Sequence, residues 1–451
     1  MARHGDVGAA ICRDLIMTTR EQNTLLTQTG PDTAMGNAIR RYWIPALLSE
    51  EIPAPDCAPV RVKLLSERLV AFRDSQGKIG LLDEFCAHRL VSLWFGRNED
   101  SGLRCPYHGW KYDTNGQCVD IPSEPESSTL CTKVKLTSYP CVERGGVVWT
   151  YMGAAEQQPP LPEFEWMLVP QSQRHVGKRL GECNYLQAME GGIDSSHVSS
   201  LHSGELLPGG MLGPKGGRKD ARGAAYLAER RTKFEVLESG GGLLIGACRR
   251  ADGEKNYWRL TQWIMPWYTM IPPHDDDPLH GHAWVPIDDE NCFAWNFTHH
   301  PTRSLTANEV EAMRRGDGIY AELIPGTYRT VANKDNDYLM DREAQKSGRY
   351  YSGVKGVAMQ DASLQESMGL VVDRTRERLA ASDIAIVRAR RRLISALEDI
   401  EKGSEPPGLD PATHHVRSAS IFLPADLHLS QAAQTIAAAT RAEVGAAHTS
   451  V

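Results

Sequence analysis

Four residues in two short segments have the types and spacing of a metal-binding site. Cys86 is followed by His88, and Cys105 is followed by His108, so each segment offers one thiolate and one imidazole. Common zinc ribbons and fingers instead keep one cysteine pair on one segment and a second pair on the other. A [2Fe–2S] cluster with two cysteines on one iron and two histidines on the other needs one of each from both sides. The mixed pattern therefore predicts such a cluster, with a zinc site as the alternative.

At these residues the chain resembles Rieske proteins, and neighbouring positions indicate which kind. Respiratory-complex Rieske proteins carry an extra cysteine in each loop, where this chain has Val91 and Tyr107, so their disulfide is excluded. The resemblance is instead to the Rieske domain of ring-hydroxylating oxygenases, whose first loop usually continues with arginine and glycine after the histidine. Arg89 fits that pattern, but Leu90 replaces the glycine. We therefore expect the turn of this loop to differ in detail.

A second group of candidate metal-binding residues consists of Asp194, His197 and His202. The two histidines are five residues apart, about 140° around an ideal helix, so they can face one metal only where a helix ends or distorts. Gly191 and Gly192 lie just upstream and make such a distortion easy. Histidine pairs in loops are more often held by ordinary hydrogen bonds, so these residues alone leave both interpretations open.

The resemblance to ring-hydroxylating oxygenases extends to this group. At this place those enzymes carry an aspartate, a histidine three positions later and a second histidine five positions after the first. It implies that His197 and His202 are iron ligands. It also implies that Asp194 is a carboxylate that joins a Rieske histidine to an iron-ligand histidine by hydrogen bonds. One distant carboxylate would complete a 2-His-1-carboxylate site for Fe(II), which leaves positions open for O₂ and substrate.

The third iron ligand must come from farther along the chain. Asp361 lies at the start of the C-terminal helical region, where this family has its ligand carboxylate, and Glu366 and Asp373 are the alternatives. Any of the three could simply cap or decorate a helix N-terminus. Another acidic and histidine-rich segment runs from His274 to His282. Its consecutive aspartates and proline neighbours favour a solvated turn between strands over a metal site.

Length, charge and cysteine usage limit the remaining classes of function. The chain has 451 residues, 41% of them hydrophobic, and a net charge of −7. The length predicts two or three domains, and the acidic balance argues against nucleic-acid binding. No apolar run approaches a membrane span, and the N-terminus lacks a signal-peptide hydrophobic region. Ten cysteines without paired spacing favour a reducing compartment. We expect a soluble, cytoplasmic protein.

The elements that must position these residues follow from hydrophobic periodicity. Residues 19–50 are predicted to form helical segments, and alternation further on predicts a small antiparallel β-domain with the candidate cluster loops between its strands. The predicted strands of this domain are 60–64, 69–73, 79–83, 133–136 and 147–151. A proline-rich stretch at 158–162 marks the domain boundary.

The second predicted domain begins with a helix from about Glu182. Its predicted strands are 225–236, 243–247, 257–263, 282–286 and 293–298, and its later helices are 308–315 and about 362–397. From about residue 403 a tail follows, with one possible helix at 431–444. The expected division is an N-terminal extension and helix at 1–40, a Rieske domain at 41–157, a catalytic iron domain at 158–402 and a C-terminal tail at 403–451.

Longer runs resemble the phthalate dioxygenase branch of the Rieske oxygenases, namely 41–48, 70–73, 104–112, 140–151 and 360–369. The resemblance covers roughly residues 20–400. It implies an α+β fold, with an N-terminal antiparallel β Rieske domain and a helix-grip catalytic domain that has an antiparallel sheet and C-terminal helices. It also implies a homotrimer or a stacked homohexamer. In such rings the neighbouring subunit's cluster lies close to this chain's iron, whereas the two metals of one chain are too far apart for fast electron transfer.

The activity that the resemblance implies is O₂-dependent hydroxylation of a small aromatic substrate by the oxygenase component. A reductase with a flavin and an iron–sulfur cluster would pass electrons from NADH to the Rieske centre. His108 of one subunit would then hand them to Asp194 of the next. Substrates in this branch are mostly aromatic carboxylates and aryl ethers, so dihydroxylation, monooxygenation and O-demethylation all stay open. An electron-transfer protein without oxygenase activity is the competing class.

One cation in the pocket would help to hold a substrate carboxylate. The basic residues of the second domain that could supply it are Lys215, Arg218, Lys219, Arg222, Arg230, Arg231, Arg249, Arg250 and Arg259. Most of them are expected to be surface charges.

Overall fold

The computed structural model describes residues 18–206, 229, 231–251, 253–273 and 277–442, and the chain folds into two compact units. The first unit comprises Thr29–Pro162 and Val285–Asp288. The second comprises the described parts of Met1–Gln28, Glu163–Trp284 and Asp289–Val451. This division differs from the expected segments, because the N-terminal helix and the C-terminal segment both group with the second unit.

The α-helices are α1 (Arg20–Thr27), α2 (Ala34–Ile39), α3 (Leu130–Lys133), α4 (Glu165–Leu168), α5 (Tyr185–Ile193), α6 (Ala307–Arg314), α7 (Arg342–Ser347), α8 (Val357–Ser367), α9 (Ile384–Glu401) and α10 (Ala433–Thr440). The strands of the first unit are β1 (Trp43–Leu48), β2 (Val60–Leu64), β3 (Glu67–Arg73), β4 (Ile79–Asp83), β5 (Arg97–Glu99), β6 (Gly102–Arg104), β7 (Lys111–Tyr112), β8 (Cys118–Asp120), β9 (Cys141–Arg144) and β10 (Val147–Tyr151). The remaining strands are β11 (Arg174–Gly181), β12 (Lys233–Glu238), β13 (Gly242–Arg250), β14 (Lys255–Ile264), β15 (Tyr268–Ile271), β16 (Leu279–Pro286), β17 (Cys292–His299) and β18 (Ala419–Pro424).

The first unit consists of three small antiparallel sheets, ordered β1-β10-β9, β2-β3-β4 and β5-β6-β7-β8. The predicted strands at 60–64, 79–83 and 147–151 are confirmed with the same bounds. The helical prediction for 43–48 was wrong, since these residues form β1, pair with β10 and are all buried. A short continuous apolar run does not distinguish a buried strand from a buried helix. The strand predicted at 133–136 was also wrong, because α3 ends at Lys133 and only an isolated bridge from Lys135 follows.

The hydrophobic core of the first unit includes both candidate cluster cysteines. Cys86 and Cys105 pack with Trp110 and Tyr112 against Val70 and other strand residues. Burial of apolar surface stabilises this hydrophobic core by about 25 cal/mol per Å². The same contacts that hold the sheets together therefore anchor the two loops.

The second unit is built on one eight-stranded antiparallel sheet, ordered β11-β17-β16-β15-β14-β13-β12, with β18 also paired to β14. Helix α9 packs against β12, β13 and α5. An apolar stripe on α9, including Val387, Leu393 and Leu397, is buried by this packing. The α+β prediction, with an antiparallel sheet and C-terminal helices in this unit, is confirmed.

Three predictions for the second unit need correction. The expected helix at 362–397 is two helices, α8 and α9, because Gly369 (φ 96°) follows the end of α8 in a left-handed conformation. Part of the expected strand at 225–236 lies outside the described residues, and β12 begins at Lys233. The expected tail contains β18, whose inward residues Ala419 and Leu423 are buried against β14. Within the described ranges, no helix has both the length and the apolarity needed to cross a membrane.

Candidate metal sites and the cavity beside them

The two candidate cluster loops of the first unit make the same tight turn. The N–H of Leu90 donates to the carbonyl of Cys86 (2.9 Å), and the N–H of Gly109 donates to the carbonyl of Cys105 (3.0 Å). Leu90 (φ 58°) and Gly109 (φ 75°) both have a left-handed backbone conformation. The expected difference at Leu90 is therefore not found, because the leucine adopts a conformation that favours glycine.

Replacing Leu90 with glycine is expected to stabilise the first unit. A non-glycine residue in the left-handed region costs roughly 1–2 kcal/mol, and glycine gives back roughly 0.5–1 kcal/mol through its greater freedom in the unfolded chain. The Leu90 side chain is 73% exposed, so its removal costs little packing. We expect Leu90→Gly to raise the free energy of unfolding by about 0.5–1 kcal/mol, measured by denaturant titration. Leu90→Ala, which keeps the Cβ, is the control and should not raise the free energy of unfolding. A lower free energy of unfolding for Leu90→Gly would show that the left-handed conformation of Leu90 is not strained.

The four candidate cluster residues differ in exposure. Cys86 and Cys105 are buried with interacting thiols, whereas His88 is exposed and His108 is half-buried. The imidazole centroids of His88 and His108 are 4.4 Å apart. Two adjacent thiols and two adjacent imidazoles fit the mixed ligand set of a Rieske [2Fe–2S] cluster. Burial raises the pKa of the Cys105 thiol, so its thiolate form depends on bound iron.

Two aromatic residues hold these side chains in place. The Tyr112 hydroxyl lies 3.2 Å from Cys86 Sγ and accepts the N–H of Ala87 at 3.2 Å. It can therefore donate to a Cys86 thiolate, and such hydrogen bonds tune the cluster potential. The Trp110 indole stacks on the His88 ring, with centroids 4.7 Å apart and planes 4° from parallel.

Helix α5 leads to the second candidate metal site and ends directly before it. The helix ends at Ile193, Asp194 is extended (φ −82°, ψ 111°), and a short 3-10 helix runs from His197 to Ser199. His197 and His202 are therefore not on one regular helix, and their ring centroids are 5.0 Å apart. The break in the helix brings together two side chains that an ideal helix would separate by about 140°.

Asp361, on α8, meets these two histidines. Asp361 Oδ1 lies 3.1 Å from His202 Nε2 and 3.5 Å from His197 Nε2. Each of the three residues offers one ligand atom, and these atoms lie within 4.8 Å of one another. We call these three residues the triad. Two imidazoles and one carboxylate, converging in this way, fit the 2-His-1-carboxylate set that suits Fe(II) and leaves open coordination positions.

Both histidines of the triad use Nδ1 for a second contact. His197 Nδ1 lies 3.3 Å from Asp194 Oδ2, and His202 Nδ1 lies 2.7 Å from Gln360 Oε1. An Nδ1–H that donates to these oxygens leaves the Nε2 lone pair of each ring facing Asp361, which is the tautomer that a metal requires. Sequence reasoning missed Gln360. The sequence feature that could have indicated its role is its position directly before the candidate ligand Asp361.

The charges of the site depend on these contacts. Burial alone would raise the pKa of Asp361, but the interactions with His202 and His197 outweigh it and hold this pKa below its ordinary value. In the same way, the pKa of Asp194 is held low by His197 and Ser196 against the effect of burial. Burial lowers the pKa of His197, but its hydrogen bond to Asp194 and the charge of Asp361 raise it further than burial lowers it. Both carboxylates are ionised at neutral pH, as a divalent cation requires.

The alternatives to Asp361 have structural contacts instead. The Tyr338 hydroxyl donates a hydrogen bond to Glu366 Oε2, with 2.7 Å between the two oxygens. Asp373 accepts the N–H and hydroxyl of Thr375 and caps a short helical turn. Neither carboxylate belongs to the group of converging ligand atoms.

Three buried arginines support the segment that carries Asp194 and His197. The Arg249 side chain is fully buried, and its Nη2 donates to the carbonyl of Ser195 at 2.7 Å. One turn before the end of α5, Glu190 is buried between Arg374 (3.1 Å) and Arg390 (2.6 Å). Arg249 therefore helps to position the loop, because its buried guanidinium donates to the backbone there.

A cavity of about 270 Å³ lies beside the triad. The sheet side of the cavity consists of Tyr257, Arg259, Ile271, His280 and His282; the opposite side includes Gly191, Gly192, Asp194, Ala312, Met313, Val357 and the triad itself. Among the described lining residues, Arg259 is the one lysine or arginine. Of the other basic candidates, Lys215, Arg218, Lys219, Arg222 and Arg230 lie outside the described residues. The cavity thus combines apolar walls with a few fixed polar groups, as small-molecule sites do.

The described part of the segment 274–282 lines this cavity with Asp277, Pro278, His280 and His282 and is not simply a solvated turn. Residues 274–276 lie outside the described residues, but His280 and His282 belong to β16. His280 Nδ1 lies 2.8 Å from Thr298 Oγ1, and His282 Nδ1 lies 2.7 Å from Asn296 Oδ1. Burial lowers the pKa of His282 to about 4. His282 is therefore a neutral, hydrogen-bonded part of the cavity wall.

Comparisons with known proteins agree with both halves of this arrangement. Residues 42–140 match the Rieske [2Fe-2S] domain, and residues 150–423 match the family described as "LigXa C-terminal domain like". The chain is 38% identical over 396 residues to the phthalate 4,5-dioxygenase oxygenase subunit of Pseudomonas putida, covering 87% of this chain and 89% of that protein. It is 36% identical over 411 residues to the 3-chlorobenzoate-3,4-dioxygenase oxygenase subunit of Comamonas testosteroni, covering 88% of this chain and 93% of that protein.

The fold is also that of solved structures. The crystal structure of dicamba monooxygenase bound to dicamba aligns with a TM-score of 0.55 at 20% identity, covering 81% of this chain and 98% of that chain. At that identity the likeness shows the fold alone. Two observations show the family as well: the matched domains, and the two relatives named above, each more than 30% identical over most of the chain. The chain therefore belongs to the family of Rieske oxygenase subunits, in which a Rieske [2Fe–2S] domain is joined to a catalytic domain that holds a mononuclear iron.

Proposed function

We propose that this chain is the terminal oxygenase component of a system that uses O₂ and electrons from a partner reductase to hydroxylate an aromatic acid. The observation that carries the proposal is the opening of the triad onto a cavity of about 270 Å³. A protein that only relays electrons has no need for a metal site at the wall of a chamber large enough for an aromatic ring. The triad at this position supports the oxygenase over the relay.

The proposed ligands of the cluster are Cys86, His88, Cys105 and His108, and those of the mononuclear Fe(II) are His197, His202 and Asp361. When bound, these centres supply single electrons and O₂ activation. The protein's own side chains do the positioning.

Asp194 and Gln360 keep the Nδ1 protons of the two triad histidines in place, so that Nε2 stays free for the metal. Asp194 adds a negative charge to its histidine, and Gln360 adds none. The two imidazoles therefore differ in basicity, and the stronger donor is the one that contacts Asp194.

The proposed substrate class is an aromatic carboxylate, ring-dihydroxylated. Arg259 is near enough to His197 for its charge to affect that imidazole, so a carboxylate bound by Arg259 would hold an aromatic ring close to the triad. Guanidinium groups bind carboxylates through paired hydrogen bonds. The two relatives whose names include phthalate and chlorobenzoate support the same class.

The proposed partners are a reductase that carries a flavin and an iron–sulfur cluster, and further copies of this chain in a trimer or a stacked hexamer. The exposure of His88 beside buried cysteines supports electron entry at the histidine end of the cluster. In the ring, His108 of one subunit would face Asp194 of the next, as the family resemblance implies.

Product analysis tests the proposed function. The oxygenase, a flavin and iron–sulfur reductase, NADH and ¹⁸O₂ are incubated with benzoates, phthalates and methoxylated aromatic acids. A diol that carries two ¹⁸O atoms from an aromatic acid is the expected product. If methoxylated acids gave formaldehyde and no acid gave a diol, the reaction would be O-demethylation instead of dihydroxylation. The same triad can support that reaction. NADH use without an oxygenated product from any acid would contradict the proposed function.

A further inference from the structure

The last turn of α5 contains two adjacent glycines, Gly191 and Gly192, just before the segment that carries Asp194. Both lie within the regular helix, and neither has a left-handed backbone conformation. Alanine can adopt the same backbone, and it favours a helix interior more than glycine does. The break in the helix comes after the glycines, at Asp194. Backbone freedom therefore does not explain the two glycines, and the space around them must be considered instead.

Gly192 is in close contact with the indole of Trp284, on β16. A methyl group in place of the Gly192 hydrogen would lie 2.0 Å from Cη2 of the indole and 2.9 Å from both Cζ2 and Cζ3. These three atoms form the outer edge of the ring, so the ring points edge-on at the helix. Ordinary van der Waals contact begins at 3.4 Å. Alanine at this position would therefore force the helix and the ring apart by about 1.4 Å.

Trp284 has little freedom to move away from such a methyl group. The residue is 4% exposed, and its ring centroid lies 5.1 Å from that of His282. The His282 ring is itself held by Asn296, with 2.7 Å between Nδ1 and Oδ1. A second cavity of about 40 Å³, which Trp284 lines, has room for a few water molecules but not for an indole. The helix, rather than the ring, would have to move.

The neighbouring glycine contacts a flexible side chain instead. A methyl group at Gly191 would lie 2.3 Å from Gln365 Nε2, but 3.3 and 3.6 Å from Cδ and Cγ of the same side chain. Only the amide end of Gln365 is far too close, and Gln365 also lines the second cavity. Rotation about its side-chain torsions can move the amide into that space. The two glycines thus differ in that one faces a movable amide and the other a rigid ring.

The start of α5 is fixed to the segment that carries Asp361. Near the start of the helix, Gln187 Nε2 donates to the carbonyl of Gln365, in α8, at 2.9 Å. It also donates to the carbonyl of Gly369, just after α8, at 2.8 Å. A displacement at Gly192 would therefore tilt α5 about this attachment. The end of the helix would move relative to Asp361, while its start would stay in place.

The end of α5 leads directly to the triad. The N–H of Asp194 donates to the carbonyl of Glu190 in the helix at 3.2 Å, and Asp194 Oδ2 lies 3.3 Å from His197 Nδ1. Distances between a metal ion and its ligands hold to within about 0.2 Å of their usual values. A displacement of about 1.4 Å is several times larger. It would separate His197 from Asp361 by more than one metal ion can bridge.

We propose that Trp284 is a positioning residue of the metal site, and that its contact with Gly192 sets the position of His197 relative to Asp361. This inference rests on the proposed function, because it assumes that the triad binds Fe(II). The indole offers a hydrogen-bond donor and no ligand atom, so Trp284 acts through the helix and not on the metal. Gly192 provides the space, and the ring edge limits how closely the helix approaches β16.

Fe(II) binding to the full chain tests this inference. The protein keeps its cluster, its mononuclear iron is removed with a chelator, and anaerobic equilibrium dialysis gives the affinity for added Fe(II). Gly192→Ala should weaken Fe(II) binding at least about tenfold, as changes to residues that support metal ligands do, and leave the cluster absorption spectrum unchanged. Gly191→Ala is the matched control, because it makes the same substitution against a side chain that can move. It should bind Fe(II) within about twofold of the wild type.

A second substitution tests whether the indole causes the effect. Trp284→Phe removes the outer edge of the ring and should by itself weaken Fe(II) binding less than about tenfold. In the double variant Gly192→Ala/Trp284→Phe, the new methyl group occupies the space that the indole leaves. The double variant should therefore bind Fe(II) within about threefold of Trp284→Phe, a non-additive result that shows direct contact. A general loss of stability would not be reversed by a smaller ring, and thermal unfolding of all variants measures that loss.

Wild-type Fe(II) affinity in Gly192→Ala would overturn the inference, and so would a double variant that binds as weakly as Gly192→Ala. If Gly192→Ala gave no folded protein, the double variant would decide. Fe(II) binding at least about tenfold weaker than in Trp284→Phe would overturn the inference, and equal binding would support it.

The outcome is separable from that of the proposed function. Oxygenated product from the wild-type chain, together with equal Fe(II) binding by the wild type and Gly192→Ala, would reject the role of Trp284 alone. The expected binding pattern without oxygenated product from any acid would reject the proposed reaction and keep Trp284 as a positioning residue of a metal site.

Discussion

Replacing Asp194 with asparagine is expected to lower product formation by at least about 100-fold while both metal centres remain bound. Asp194 Oδ2 holds the Nδ1–H of His197 at 3.3 Å, and its negative charge makes that imidazole a stronger donor. Asparagine keeps the shape and a hydrogen-bond acceptor but loses the charge. In the proposed ring it also removes the carboxylate that faces the neighbouring subunit's His108. The measurements are product formed per minute with the reductase, iron content and the cluster absorption spectrum.

Ser196→Ala is the matched control for this variant. The Ser196 hydroxyl and N–H both donate to Asp194 Oδ1, at 2.5 and 2.7 Å. Removing the hydroxyl leaves the backbone donor and the charge of Asp194, so activity should fall less than about tenfold. Light scattering of both variants verifies that the assembly is unchanged. Wild-type product formation by Asp194→Asn would show that Asp194 has no role beyond packing.

Replacing Asp361 with alanine should remove the mononuclear iron and spare the cluster. The wild-type chain is expected to contain about three iron atoms, two in the cluster and one in the triad. Without Asp361, two imidazoles remain as protein ligands, and no anionic ligand is left to offset the charge of Fe(II). Iron analysis should therefore fall to about two atoms per chain, with an unchanged Rieske absorption spectrum and no oxygenated product.

Glu366→Gln is the control for Asp361→Ala, since it changes another carboxylate of α8. Glu366 accepts a hydrogen bond from Tyr338 and stands apart from the triad. This variant should keep about three iron atoms per chain. An unchanged iron content in Asp361→Ala would make another residue the third ligand. Two iron atoms in the wild-type chain would instead favour the electron-relay class.

The cluster motif could be interpreted from the sequence because its chemistry is local. Cys86 and His88 share one loop, Cys105 and His108 share the other, and each loop closes through a hydrogen bond between residues four positions apart. Spacing within such a loop restricts geometry directly, so residue types alone identified the class of metal centre. Leu90 was harder, since its left-handed conformation is set by the turn and not by its own preference.

Secondary structure was predictable where polarity alternates, as in β2, because the side chains of a half-buried strand face water and core in turn. It was not predictable for β1 or β18. All six residues of β1 are buried, so no alternation marks the strand. β18 lies in a segment rich in proline and small residues and becomes a strand only because β14 has a free edge for it.

The sequence by itself predicted the cluster motif, because that motif depends on residue types at short separations. The resemblance to Rieske oxygenases supplied the α+β class and the roles of the two histidines after α5. Only the tertiary structure decided which groups meet across the chain. Gln360 contacts His202 from 158 residues away, and Arg249 donates to the carbonyl of Ser195 from 54 residues away. The physical reason is that burial and strand register arise from packing between distant segments, which a local sequence pattern does not specify.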